Sequence, residues 1–579
     1  MSASAPIDPV AFEVIRNALN EATEEMALAL RRSAYSTNIK TRNDFSCAFF
    51  DRRLRVTAQA FSQPVHLGSF VELVPRTVRT YGLERLRPGD MLVVNDPYDG
   101  GVHLNDVTVI APVFWEGTLF GYLANLAHHV DVGGGAPASV GAFREVFQEG
   151  VIIPVVRLVR DGVIVDDIFR LILAQIRSKR ETAGDLRAQV AANVTGTRRL
   201  SALVDRLGLS AANRIVDAVL DYTSRRTRLD LERLPRGTFS ADGYVDNDGF
   251  TEERVRLRVS VTIDGQGVLF DLAGSDPQRK APVNSTFAQT FSACAYALKC
   301  LIDQDIPVNQ GFYDLVRVHA PEGTVVNCRP PAPVVGGWET QTRLVDTIFH
   351  ALAAALPDRV PAGSKAMMCH AGFGGVNPAT GEYHCFLETL AGGYGGRASS
   401  DGPDAVQTHG QNTENAPIEE TEVSYPVRIT RYELVQDSEG AGRFRGGLGL
   451  RRDYLFADYP VTFTILADRD REGPHGLWGG SAAPPAQYIL NSSGDVRRLG
   501  SKRTIDLQPG DVVSYRTCGG GGYGPPEARD PVRVLRDVRE GKVSGRRARE
   551  IYRVAIDEAS WRVDPEETAR LRSERMGSL

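Results

Sequence analysis

Residues 107–115 read VTVIAPVFW, residues 116–117 are Glu116-Gly117, and residues 118–127 read TLFGYLANLA. Two apolar runs joined by a two-residue pair ending in glycine predict a β-hairpin, because a tight turn needs the positive φ that glycine adopts without steric cost. If Trp115 pairs with Thr118, partner numbers sum to 233, so Ala127 faces Asp106 and His128 faces Asn105. A one-residue bulge, natural beside Pro112, would set His128 directly opposite Asp106. Neighbouring strands are about 4.8 Å apart, so either register lets the two ends share an ion.

Upstream lies Asn95-Asp96-Pro97-Tyr98-Asp99-Gly100-Gly101-Val102-His103-Leu104-Asn105-Asp106, and downstream lies His128-His129-Val130-Asp131. In an extended strand His103 and Asp106, three apart, would point to opposite faces. The segment must therefore turn if both are to bind one ion, and Gly100-Gly101 permits a turn just before it. Imidazole together with carboxylate suits zinc, or manganese or iron, better than calcium or magnesium. The plainer alternative is a polar hairpin end whose histidines are satisfied by hydrogen bonds.

At 579 residues the chain exceeds one hydrophobic core. Hydrophobic content of 42% with 24% charged residues is that of an ordinary soluble globular protein, and a net charge of −5 gives no electrostatic reason to bind nucleic acid or a membrane surface. The opening MSASAPIDP lacks the basic and apolar regions of a leader, and no apolar run approaches the roughly 20 residues of a membrane span, so a cytoplasmic protein is expected. Its seven cysteines are scattered without a CxxC pair, which predicts reduced and mostly buried thiols.

The pattern predicts an α+β, β-rich, multidomain chain. Asp8-Pro9 opens an amphipathic helix with Ile15, Leu19, Ala22, Met26 and Leu30 on one face. Residues 45–164 read mainly as strands and turns, including FSCAFF, MLVVN and VIIPVVRLV, and residues 166–234 as helix ended by Pro235-Arg236-Gly237. Strand alternation at 254–261 is followed by helices expected at about 285–303 and 342–356. Beyond 365 the glycine-dense chain reads as mostly β, up to a short terminal helix capped at Asp530-Pro531. The expected units are 1–236, with the metal site and helical segment, 237–364 and 365–579.

Glycine clusters at 392–396, 443–449 and 519–526 lack the Lys-Ser/Thr of a phosphate loop or the strand-glycine-helix context of a dinucleotide fold, so they are expected to be tight turns or close backbone contacts. His66, in an apolar setting, fits either a satisfied core histidine or a catalytic one. Asp44, just before a strand, reads on its own as a turn residue.

In this order the chain carries NDPYDGGVHLNDVTVIAPVF (95–114), LAHHVDVGG (126–134), GDLRAQVAAN (184–193), DIPVNQGFY (305–313), APEGTVVN (320–327), DSEGAGRFRGGLGL (437–450), CGGGGYGPPEARDP (518–531) and DVREGKVSGRRAREIY (537–552). Over about residues 6–555 it resembles the hydantoinase B/oxoprolinase family. That resemblance implies the metal-binding subunit of an ATP-dependent amidohydrolase that opens a hydantoin, 5-oxoproline or related lactam. An A-type partner subunit would use ATP to phosphorylate the carbonyl oxygen. It further implies one divalent transition metal on His103, Asp106 and His128, with Asp44 as an added ligand. His66, Asp96 and His129 are implied as acid/base or supporting residues, and the assembly as a hetero-oligomer with a homodimeric core. The alternatives are a subunit of an acetone- or acetophenone-type carboxylase, whose large subunits are considerably longer, and a non-catalytic scaffold.

Overall fold

The computed structural model describes residues 8–456 and 458–576; the opening residues 1–7, read above for a leader, lie outside the described residues. The continuous apolar runs near the N-terminus form a seven-stranded antiparallel sheet. Its spatial order is Val56–Gln59, Phe45–Asp51, Thr118–His128, Asp106–Trp115, Met91–Val94, Val156–Arg160 and Val163–Ile164. Strand side chains alternate between faces, and both faces of this sheet are covered. Cys47 and Phe49 enter one core with Ile15, Leu19, Met26 and Leu30 of the helix Pro9–Ser33, whereas Ala48 and Phe50 enter another with Phe70, Tyr122 and Leu126. FSCAFF therefore lacks polar alternation because neither face meets water.

The hairpin forms with Glu116 at φ 45° and Gly117 at φ 77°. Pairing starts as Trp115 with Thr118, slips by one between Val113 and Phe114, and ends with Asp106 opposite His128. The bulged register is the one adopted.

The region 45–164 is not only strands and turns. An 18-residue helix spans Pro64–Tyr81 in spite of Pro64, Gly68 and Pro75, residues that weigh against a helical reading. Position explains Pro64, and packing explains Gly68. Pro64 occupies the first turn, where no amide partner is lost. A Cβ on Gly68 would collide with Ser292 of the helix Phe287–Lys299, and the Ser292 hydroxyl donates to the Pro64 and Val65 carbonyls at 3.0 and 2.9 Å. Within VIIPVVRLV only Val156–Arg160 is strand; the preceding residues leave the sheet, although the Val151 amide still bonds the Val132 carbonyl.

Helices Asp166–Ala174, Lys179–Leu207 and Leu209–Leu231 fill the segment expected to be helical. The middle one lies on the hairpin. Its Gln189 and Asn193 side-chain amides donate to the Val107 and Val109 carbonyls at 2.8 and 3.1 Å.

A four-stranded sheet follows, ordered Val316–His319, Gly267–Asp271, Val255–Asp264 and Gly237–Val245, with its first pair parallel. The helices expected at 285–303 and 342–356 run Phe287–Lys299 and Gly337–Leu352. The first start is set by a capping box between Thr286 and Gln289, and the second begins at Gly337 without a side-chain cap. One core crosses from the N-terminal sheet into this region, running from Ala48 through Leu298 to Val360.

Beyond 365 two antiparallel sheets dominate. One is ordered Tyr383–Thr389, His370–Val376, Val461–Leu466 and Lys502–Leu507; the other is Arg428–Leu434, Leu450–Leu455, Val512–Arg516, Gln487–Ser492 and Asp495–Leu499. The glycine clusters pack on one another. The Gly440 amide reaches the Gly520 carbonyl, Gly447 reaches Tyr394, and Gly396 reaches Gly521, each at 2.8 Å. A Cβ on Gly520 would fall on the Tyr394 carbonyl, so only glycine lets these backbones touch. In place of one terminal helix the chain ends in Pro531–Arg539, Gly545–Glu550, a small hairpin and Pro565–Met576.

Candidate metal centre

His103, Asp106 and His128 meet at the hairpin end. Gly100 takes φ 93° after the short turn Pro97–Asp99, and the Asp106 amide bonds back to the His103 carbonyl at 3.1 Å. That turn puts both side chains on one side. His128, the last residue of its strand, is brought in by the bulge.

His103 Nε2 is 3.3 Å from Asp106 Oδ2, and His128 Nδ1 is 3.2 Å from Asp106 Oδ1. One donor atom from each of the three residues lies within 4.8 Å of the others. Donors held about 2.0–2.1 Å from one tetrahedral ion stand about 3.3 Å apart, so the carboxylate-imidazole spacings are those of shared ligation. Hydrogen bonding does not account for the approach. Neither Asp106 oxygen and neither His103 ring nitrogen has a hydrogen-bond partner, and His128 Nε2 also lacks one, with all three residues at most 3% exposed. Each such orphaned buried group costs about 1–3 kcal/mol, so their convergence fits a cation as the common partner.

His66 arrives from the first turn of Pro64–Tyr81. Its Nε2, also unpartnered, lies 3.6 Å from Asp106 Oδ2 and 4.0 Å from Asp44 Oδ1, while its Nδ1 meets the Ser46 hydroxyl at 3.3 Å. Burial lowers the His66 pKa and outweighs the opposing pull of Asp106 and Asp44, favouring a neutral ring. For Asp106, burial alone would raise the carboxyl, yet the His103 and His66 rings hold it below the usual carboxylate range.

The other sequence candidates are arranged differently. Asp44 is buried beside the centre, and its carbonyl receives the His128 amide at 3.0 Å, but its carboxylate is outside the compact His103-Asp106-His128 group. His129 leaves the strand with its Nε2 2.9 Å from the Gln189 side-chain oxygen, and its amide bonds the Asn105 carbonyl. The Asp96 carboxylate caps the turn Pro97–Asp99 by accepting the Tyr98 amide at 2.9 Å.

Two residues absent from the sequence reading complete the surroundings. Trp338 packs edge-on to His103 and His66, with ring centroids 5.0 and 6.0 Å away, and its indole N–H is buried without a partner. His370 is held well below its usual pKa by burial and by the His128 and His103 rings. Glu339, next to Trp338, accepts the Met368 and Cys369 amides at 3.0 and 3.2 Å and so fixes the segment that carries His370. No short motif links 338 or 370 to residues 103–128; their signal is only that each is an isolated aromatic in a polar or glycine-rich run.

A second acidic group, Asp246, Asp468 and Asp470, also has closely spaced donors. It already contains cations: Lys502 Nζ lies 3.3 Å from Asp468 Oδ1, and Arg343 bridges Asp468 and Asp246. That group is an ion-pair network.

These features define a multidomain α+β protein with a sealed histidine-carboxylate centre at the end of an antiparallel sheet. The chain belongs to the hydantoinase B/oxoprolinase family, whose sequence model matches residues 8–526. It is 38% identical over 573 residues to an uncharacterized protein of Methanocaldococcus jannaschii, covering 98% of this chain and 100% of that one. It is 30% identical over 586 residues to the B-type subunit of a putative D-/L-hydantoinase from a Pseudomonas species, covering 98% of both. The crystal structure of ATP-dependent caprolactamase from Pseudomonas jessenii superposes with a TM-score of 0.91 at 29% identity, covering 98% of this chain and 100% of that one. The chain spans only 41–42% of the length of the 5-oxoprolinases it matches. No helix among the described residues is long and apolar enough to cross a membrane.

Proposed function

We propose that this chain is the metal-binding subunit of an ATP-dependent amidohydrolase that opens a cyclic amide after an A-type partner has phosphorylated the carbonyl oxygen. The observation that carries the reading is the sealed His103-Asp106-His128 group with its orphaned donor atoms. The partner and the reaction type are supported by the relative named as the B-type half of a hydantoinase and by the fold shared with an ATP-dependent caprolactamase. Zinc, or manganese or iron, suits the donor set, and Asp44 is the available fourth ligand.

A divalent ion in that position supplies Lewis acidity and a water of lowered pKa. His66 is the base we assign: its neutral ring keeps Nε2 free beside Asp106, and Ser46 holds the opposite nitrogen. Phosphorylating the carbonyl oxygen removes amide resonance and makes the carbon electrophilic, which is the chemical reason to use ATP; once water has added, the C–N bond breaks with the nitrogen leaving as a protonated amine, and the resulting acyl phosphate is hydrolysed to carboxylate and phosphate. Asp96 and His129 act as supports, through the turn that presents His103 and through Gln189.

His66→Gln is expected to lower kcat about 10²- to 10⁴-fold with metal content unchanged, as loss of general acid/base work would. Kinetics and metal analysis on one preparation check it, and full activity in that variant would remove His66 from the chemistry. The function itself is tested by product. With partner and ATP, a cyclic amide should yield the open amino acid, whereas labelled bicarbonate entering a ketone would assign carboxylation instead.

A further inference from the structure

His66 is fully buried, and His103, Asp106 and His128 are at most 3% exposed. On one flank Val65, Val102, Trp338 and Met368 pack as an apolar cluster, which offers no hydroxyl to carry a proton. Ring opening nevertheless asks two opposite things of a base held here. It must take a proton from the attacking water, and it must then give one to the departing nitrogen. An imidazolium formed between those steps would be a charge in a buried site, which is costly.

The nitrogen of His66 that faces away from Asp106 has an outlet. Nδ1 lies 3.3 Å from the Ser46 hydroxyl, and the Ser62 hydroxyl donates to Ser46 at 2.9 Å. Ser46 is fully buried in the strand Phe45–Asp51, whereas Ser62, in the loop before the helix Pro64–Tyr81, is half-buried. Ser62 lines a cavity of about 630 Å³ that has the exposed Glu24 and Asp305 on its wall and so is open to solvent. Two hydroxyls therefore link the buried ring to water.

A serine hydroxyl donates one hydrogen bond and accepts two, so it can receive a proton on one side as it releases its own on the other. This chain finds partners in both polarities. With Ser62 donating to Ser46, Ser46 donates to His66 Nδ1, and the neutral ring carries its proton on Nε2. With His66 Nδ1–H donating to Ser46, Ser46 donates to Ser62, and the Ser62 proton turns to the Ala60 carbonyl at 3.4 Å. Nε2 is then a free base.

We infer that Ser46 and Ser62 form a two-way proton wire, which lets His66 act first as base and then as acid while its ring stays neutral. As water adds, its oxygen bonds to the carbon and its proton goes to Nε2. The Nδ1 proton passes to Ser46, that of Ser46 to Ser62, and that of Ser62 to cavity water. As the C–N bond breaks, the nitrogen keeps the electron pair and takes the Nε2 proton, and Nδ1 is refilled along the same path from cavity water. The two steps return both hydroxyls and the ring to their starting state. The inference rests on the hydrolase reading for the use of the wire, though not for its existence. Ring orientation by Ser46 alone would give Ser62 no part, because Ser62 bonds Ser46 and not His66.

Proton exchange between water and the His66 ring N–H, followed by NMR on the histidine-labelled chain alone, tests the path. His66→Gln assigns the signal, and Ser62→Ala should slow its exchange about tenfold. With partner and ATP, Ser62→Ala should lower kcat about tenfold or more, leaving KM and metal content unchanged. Ser62→Thr, which keeps the hydroxyl, should recover the rate. Imidazole added to the buffer should rescue Ser62→Ala by meeting Ser46 from the cavity, and should not rescue Ser46→Ala. Equal exchange rates in wild type and Ser62→Ala, or an unchanged kcat, overturn the wire. Slowed exchange in Ser62→Ala with no ring opening by the wild-type mixture would defeat the hydrolase reading alone.

Discussion

His103→Ala or Asp106→Ala, introduced singly and assayed with the A-type partner and ATP, is expected to cut ring opening by about 10³-fold or more. The expectation follows from geometry. Asp106 contacts His103, His128 and His66 at 3.2–3.6 Å, so deleting its carboxylate removes the group to which all three rings are referred. Asp106 is also the largest electrostatic counterweight to the burial of His66. The fold should survive, because neither side chain forms a hydrogen bond that ties elements together and the hairpin is held by its backbone ladder. The check is initial rate together with circular dichroism on each variant; a folded variant that retains wild-type turnover would show that the centre is not catalytic.

The chain alone is expected to hydrolyse neither ATP nor an unactivated lactam. Its glycine clusters are occupied by contacts with one another: Gly520 bonds Gly440 and Gly447, and Gly521 bonds Gly396 and Gly363, which leaves no cradle for phosphate oxygens. An amide without phosphorylation keeps its resonance and a weakly electrophilic carbon, so the centre by itself faces the full barrier of amide cleavage. Mixing the two subunits should make ring opening appear, and its rate should follow ATP. Product analysis of each subunit alone and of the mixture decides the matter, and robust ATP-independent opening by this chain alone would refute the division of labour.

The hairpin shows how much of this was legible in one sequence. Two continuous apolar runs and a Glu-Gly turn carry enough information to bring His128 beside the His103–Asp106 turn, because strand register is a counting problem once the turn is known; the bulge that sets it directly opposite Asp106 was one of two registers open. The N-terminal helix was equally plain, since its cap, first-turn proline and buried stripe agree. Pro64–Tyr81 was not, as its Gly68 makes sense only against Ser292, more than two hundred residues away in the chain. The same distance hid Trp338 and His370, which tertiary packing brings to the centre. His129 was readable as an imidazole beside His128, but alternation at the strand end aims it at Gln189.

Metal analysis of the purified chain and of its Asp106→Ala variant is the most direct measurement. The wild type should carry close to one equivalent of zinc, manganese or iron on His103, Asp106 and His128, and the folded variant should have lost it. Stoichiometric metal retained without Asp106, or a carefully prepared wild type that binds none, would contradict the account.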